Sequence, residues 1–112
     1  MGKNIEPESS CVNIIGQGTE IKGDINTQCD MRIDGKLIGN FLSNQKLVVG
    51  QHGEIEGNIT CKDCDISGKI KGNLCITELL ILRSTSNIQG DISMNKLVIE
   101  IDAQFSGLCK MQ

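Results

Sequence analysis

The chain has no tryptophan and no tyrosine, and only two phenylalanines. Surfaces that bind single-stranded nucleic acid stack bases on aromatic faces, so that class of binding site is excluded. Histidine occurs once, at His52, and proline once, at Pro7. A zinc centre held by three imidazoles, as in a γ-type carbonic anhydrase, cannot be built from one. An excess of positive charge is also missing: 11 basic residues against 14 acidic ones give a net charge of −3. Such a chain has no electrostatic footprint for nucleic acid or anionic lipid. The longest wholly aliphatic run is Leu79-Leu80-Ile81-Leu82, too short for a signal peptide or a membrane span, so neither export by that route nor spanning is expected. Glu6 stands where an N-myristoylation signal wants Ser or Thr. There is no Gly-rich phosphate loop with Lys and Ser/Thr, which excludes nucleotide-driven action.

What is present is aliphatic. The 112 residues include 17 Ile, 9 Leu and 4 Val, enough for one domain with a thin core that folds without metal or disulfides. Six cysteines in a chain without an export signal read as reduced cytosolic thiols serving as small buried hydrophobes.

A five-residue phrase recurs six times: Ile21–Ile25, Leu37–Phe41, Ile55–Ile59, Ile70–Leu74, Ile88–Ile92 and Phe105–Cys109, each with Gly at its centre. Those glycines, at 23, 39, 57, 72, 90 and 107, are 16, 18, 15, 18 and 17 residues apart. A second phrase keeps step: Asn13-Ile14, Arg32-Ile33, Val48-Val49, Asp65-Ile66, Leu80-Ile81 and Val98-Ile99. Apolar residues two apart are a strand signal. Short strands repeating at one elastic period of about 17 residues stack like on like, as coils of a solenoid. The expected fold is all-β: a single-domain parallel β-helix of about six coils over residues 11–112, with uncapped ends and a short flexible lead-in over residues 1–10.

Alternation sets the columns. Ile21, Leu37, Ile55, Ile70, Ile88 and Phe105 point inward, as do Ile25, Phe41, Ile59, Leu74, Ile92 and Cys109. Asp24, Asn40, Asn58, Asn73 and Asp91 form an outer stack able to hydrogen-bond along the column. Leu108 takes the sixth place.

Few residues suggest chemistry. Cys61-Lys62-Asp63-Cys64 has the C-x-x-C spacing, but no second pair completes four zinc ligands, so packed thiols are expected and no metal or cofactor. His52, flanked by Gln51 and Gly53, reads as a solvated loop residue; the alternative is the base of a left-handed hexapeptide-type trimeric acyltransferase. The open coil ends are a better candidate for function. At the C-terminal edge the expected contact residues are Phe105, Leu108 and Met111; at the N-terminal edge, Val12, Ile14 and Ile21. On the outer wall Val48, Leu80, Leu82 and Val98 are expected to form a lateral or partner-binding patch.

The recurring Ile-x-Gly-Asp/Asn-Ile phrase, carried by all six repeats from Val12 to Met111, resembles the bactofilins, the polymer-forming bacterial cytoskeletal proteins. The resemblance implies a right-handed β-helix that joins end to end, without nucleotide, into non-polar filaments. It also implies a cytoplasmic scaffold for cell-shape or cell-wall machinery at the inner face of the membrane. The partners would be further copies of the chain and cell-wall-modifying or membrane proteins, with no enzymatic activity. The membrane-targeting stretch common in the family has only Met1 and Ile5 as counterparts in this lead-in. A non-polymerising solenoid adaptor is the third alternative.

Overall fold

The computed structural model describes residues 11–111, all of them in strands, turns and short connections. The lead-in expected over residues 1–10 lies outside the described residues. The first coil is β1 (Val12–Ile15), β2 (Glu20–Lys22) and β3 (Ile25–Thr27), and the second is β4 (Asp30–Ile33), β5 (Lys36–Ile38) and β6 (Phe41–Ser43). The third is β7 (Lys46–Val49), β8 (Glu54–Glu56) and β9 (Ile59–Cys61), and the fourth is β10 (Asp63–Ile66), β11 (Lys69–Lys71) and β12 (Leu74–Ile76). The fifth is β13 (Leu79–Leu82), β14 (Asn87–Gln89) and β15 (Ile92–Met94), and the sixth is β16 (Lys96–Ile99), β17 (Gln104–Ser106) and β18 (Cys109–Met111). Each coil gives one strand to each of three six-stranded parallel sheets, ordered β1-β4-β7-β10-β13-β16, β2-β5-β8-β11-β14-β17 and β3-β6-β9-β12-β15-β18. The fold is a β-solenoid of six coils.

The elastic period has a local cause. Strand lengths are the same in every coil, and two residues always separate the second-sheet strand from the third-sheet strand. The corner after the first sheet holds either two or four residues, and the corner before it one or two. The four-residue corners close with a backbone bond across the turn, as from Thr19 N–H to the Gly16 carbonyl and from Ser86 N–H to the Arg83 carbonyl. All variation is thus confined to the corners, and the three strands of every coil keep the same lengths.

Inside, the two phrases stack as alternation requires. Leu37, Phe41, Ile55, Ile59, Ile70, Leu74, Ile88 and Ile92 are buried, and the column beginning Thr27 and Ser43 continues through buried Cys61, Ile76 and Met94. The first sheet corrects one expectation. Cys64 pairs with Leu80, Asp65 with Ile81 and Ile66 with Leu82, and both Leu80 and Leu82 are 0% exposed. They are core residues, not members of an outer patch; Ile81 is the outward one. The same one-residue shift applies in β1, where Ile14 pairs with outward Arg32 and Ile15 with buried Ile33. A strand that is apolar at four consecutive positions carries no alternation to read, so its register is set by the ladder it joins.

The Gly-Asx corner is held by a ladder of another kind. The Asp24 Oδ1 accepts from the Asn40 N–H at 2.9 Å, Asn40 Oδ1 from Asn58 N–H at 3.0 Å, and Asn58 Oδ1 from Asn73 N–H at 3.2 Å. Asn73 and Asp91 continue it to the amides of Asp91 and Leu108, both at 3.2 Å. Side chains therefore accept from the next coil's backbone instead of bonding to each other. Asn58→Ala removes one solvent-exposed rung and is expected to lower the unfolding free energy by about 1 kcal/mol, with urea melts as the measure. An unchanged midpoint would mean that water replaces the rung without loss.

Candidate assembly edges

The two ends of the solenoid are where a second chain can add, because β1–β3 and β16–β18 each have a coil neighbour on one side only. Their outer backbone edges are unpaired among the described residues, and no helix of those residues covers either end.

The N-terminal face is partly polar. Its inward columns end in Asn13, Ile15, Ile21, Ile25 and Thr27, and the Asn13 side-chain amide donates to Thr27 Oγ1 at 3.2 Å, tying the first sheet to the third. Thr27 Oγ1 also accepts from the Cys29 N–H at 3.1 Å. Of the residues expected here, Ile21 ends an inward column and is half-buried, whereas Val12 and Ile14 are exposed on the outer face of β1. The expected set is thus split between the end and the side, again because of the β1 register; Ile15 and Ile25 complete the end.

Cys11 and Cys29 are joined by a disulfide. The expectation of six reduced thiols is corrected at this pair: the residues preceding β1 and β4 occupy equivalent positions in adjacent coils, with Cα atoms 5.2 Å apart. The other four cysteines are free. Cys61 and Cys64 are buried, and the Cys61 thiol donates to the Asp63 carbonyl at 3.3 Å. The hydrogen bond with Cys61, and after it burial, pushes the Cys64 thiol well up. Among the described residues no group of three or more His, Cys, Asp or Glu could hold a metal ion. A raised pKa and burial make a poor nucleophile, so a maleimide is expected to label Cys75 and Cys109 in the folded chain and Cys61 and Cys64 only after denaturation. Fast labelling of Cys64 under native conditions would contradict the packing.

The C-terminal face is apolar. Leu97 and Phe105 are half-buried column ends, and Cys109 and Met111 are exposed column ends. Ile99 is 53% exposed and Leu108 72%. Phe105, Leu108 and Met111 all lie in this last coil. Sequence reasoning missed Ile99 and Ile101, the latter 85% exposed. Ile101 could have been found: the other four-residue corners are Gly16–Thr19, Gly50–Gly53 and Arg83–Ser86, and none carries an aliphatic residue.

The side walls carry charged networks on the first and second sheets. Arg83 bonds Asp65 through Nε at 3.0 Å and Nη2 at 2.8 Å, and Glu100 through Nη1 at 3.1 Å, clasping three coils. These bonds, that to Asp65 first, push the guanidinium pKa upward. Glu20, Lys36, Glu54 and Lys69 alternate in sign along the second sheet, so opposite charges face each other across successive strands. The lateral patch is not continuous: Val48 stands between Arg32 and Asp65, and Val98 has only Ile81 as an aliphatic neighbour in its column. His52 is an exposed turn residue.

Residues 13–110 match the family model described as bactofilin, polymer-forming cytoskeletal. The chain is similar to the cytoskeletal bactofilin BacA solved by solid-state NMR, at 26% identity and a TM-score of 0.80, over 90% of this chain and 97% of that one. It is similar also to the crystal structure of a phenylalanine-to-arginine mutant of bactofilin from Thermus thermophilus, at 27% identity and a TM-score of 0.76, over 80% of this chain and 100% of that one. No curated protein matches it in sequence.

Proposed function

Because this chain belongs to the bactofilins, a polymer-forming cytoskeletal family, we propose that it assembles end to end, like face to like face and without nucleotide, into non-polar filaments. The observation that carries this reading is the chemical difference between the two ends. Ile99, Phe105, Leu108 and Met111 form an apolar C-terminal face, while the N-terminal face centres on the hydrogen-bonded Asn13 and Thr27. Two C-terminal faces bury apolar surface against each other at about 25 cal/mol per Å². A head-to-tail junction would set Asn13 and Thr27 against Leu97 and Met111, taking polar side chains out of water into an apolar contact that offers them no further hydrogen bond. It would also bring the Asp24 amide over Leu108, which has no side-chain oxygen to continue the Asx ladder. Joining like faces avoids both costs, and it gives a filament without polarity.

The filament would act as a structural scaffold for cell-shape or cell-wall machinery on the cytoplasmic side of the membrane, in keeping with the family's cytoskeletal character. Among the described residues no helix is long and apolar enough to cross a membrane. Electron microscopy of the purified chain in low salt without nucleotide tests the reading. Long filaments are expected, and compact particles of fixed size would overturn it.

A further inference from the structure

The Cys11–Cys29 disulfide sits at the N-terminal face, in an end coil whose first strand is lightly held. Among the described residues β1 has a single strand neighbour, β4, and only Ile15 of its four side chains is buried. Beyond the ladder and Ile15, β1 is held by the exposed Asn13–Thr27 hydrogen bond and by the disulfide, which fixes the residue before β1 to the residue before β4. Segments with few buried contacts open locally long before the whole fold does. Cys11 is exposed, so its sulfur is open to an attacking thiolate. The free cysteines lie elsewhere: Cys61 and Cys64 in the core, Cys75 on the outer face of the third sheet and Cys109 at the opposite end.

We propose that Cys11–Cys29 is a reversible redox site that sets whether the N-terminal face can join a second copy. The proposal rests on the end-to-end reading above. A thiolate of a dithiol reductant attacks Cys11 Sγ, forming a mixed disulfide and releasing Cys29 as a thiolate that takes up a proton. The reductant's second thiol then attacks its own sulfur in the mixed disulfide and releases Cys11 as a thiol. Two electrons and two protons pass to the protein, and the reductant leaves as a cyclic disulfide. The cross-link spans 18 residues, and removing a closure of that length shifts the balance between docked and frayed β1 by about a hundredfold. A frayed β1 uncovers Met31 and Ile33, which are buried beneath it. It also removes one of the three strands that form the face. Joints between N-terminal faces are then lost, and pairs joined at their C-terminal faces remain.

The test uses the full chain, air-oxidised or treated with dithiothreitol, with cleavage of the disulfide followed by mass. Reduction is expected to speed amide exchange in β1 by about a hundredfold and to shorten filaments to two-chain particles, both reversed on reoxidation. Cys11→Ser should match the reduced chain and ignore the reductant, and Cys75→Ser, on the outer face of the third sheet, should respond as the native chain does. Unchanged β1 exchange after cleavage, or full-length filaments from Cys11→Ser, overturns the proposal. If neither redox form polymerises, the end-to-end reading fails, and β1 exchange still decides whether the disulfide controls this face.

Discussion

Phe105→Arg is expected to abolish long filaments and leave a folded chain that stops at small soluble oligomers. Phe105 ends the inward column of the second sheet, stacked on Ile88 and half-buried in the free chain. Because no described residue stacks beyond it in the same chain, an arginine there can turn its guanidinium to water with its stem along the column, and the six coils survive. In the proposed junction of two C-terminal faces the same group would be enclosed among the apolar column ends of both chains, Ile99 and Met111 among them. An enclosed and unpaired charge costs several kcal/mol, and a second guanidinium related by symmetry adds repulsion. About 3 kcal/mol already lowers an association constant more than a hundredfold. Electron micrographs and sedimentation velocity measure the outcome. Filaments of unchanged length would remove Phe105 from the junction.

The largest loss of stability is expected from Gly72→Ala. Gly72 has φ 142°, a conformation that side chains rarely adopt, and a Cβ built there overlaps the carbonyl oxygen of Gly57 in the coil below. That oxygen belongs to backbone, and Gly72 is itself held from the other side by its N–H bond to the Gln89 carbonyl at 2.9 Å. The coil therefore cannot move away from one neighbour without disturbing the ladder to the other. Backbone strain of about 1–3 kcal/mol and a similar amount for overpacking together give about 4 kcal/mol. Two controls separate these terms. Gly23 begins the column with φ 134° and nothing within 4 Å of its Cβ position, so Gly23→Ala tests strain alone. Gly16 has open space and no positive φ, so Gly16→Ala should lie within about 0.5 kcal/mol of the native chain. Urea melts in the Phe105→Arg background keep assembly out of the measurement. A Gly72→Ala loss no larger than that of Gly23→Ala would mean that the coils are not closely stacked at this corner.

The sequence by itself determines the number of coils, the parallel stacking, the inward columns of the second and third sheets and the glycine corner. In most of those segments a polar or small residue separates the apolar ones, and alternation has a single reading: in Ile55-Glu56-Gly57-Asn58-Ile59 only the two isoleucines can face a core. The apolar C-terminal edge is equally legible, because Leu108 breaks a column of Asp and Asn that five other coils keep.

Tertiary structure alone decides the rest. In Leu79-Leu80-Ile81-Leu82 and Val12-Asn13-Ile14-Ile15 the local pattern leaves two registers open, and the choice is made by hydrogen bonds to β10 and β4. That choice buries Leu80 and Leu82 and dissolves the lateral patch. The disulfide is undecided in sequence for a related reason. A separation of 18 residues brings Cys11 to Cys29 only when the turns of that coil have lengths that bring equivalent positions into stack, and those lengths vary from coil to coil. Proximity across a solenoid is a property of the closed coil, which no local window of residues contains.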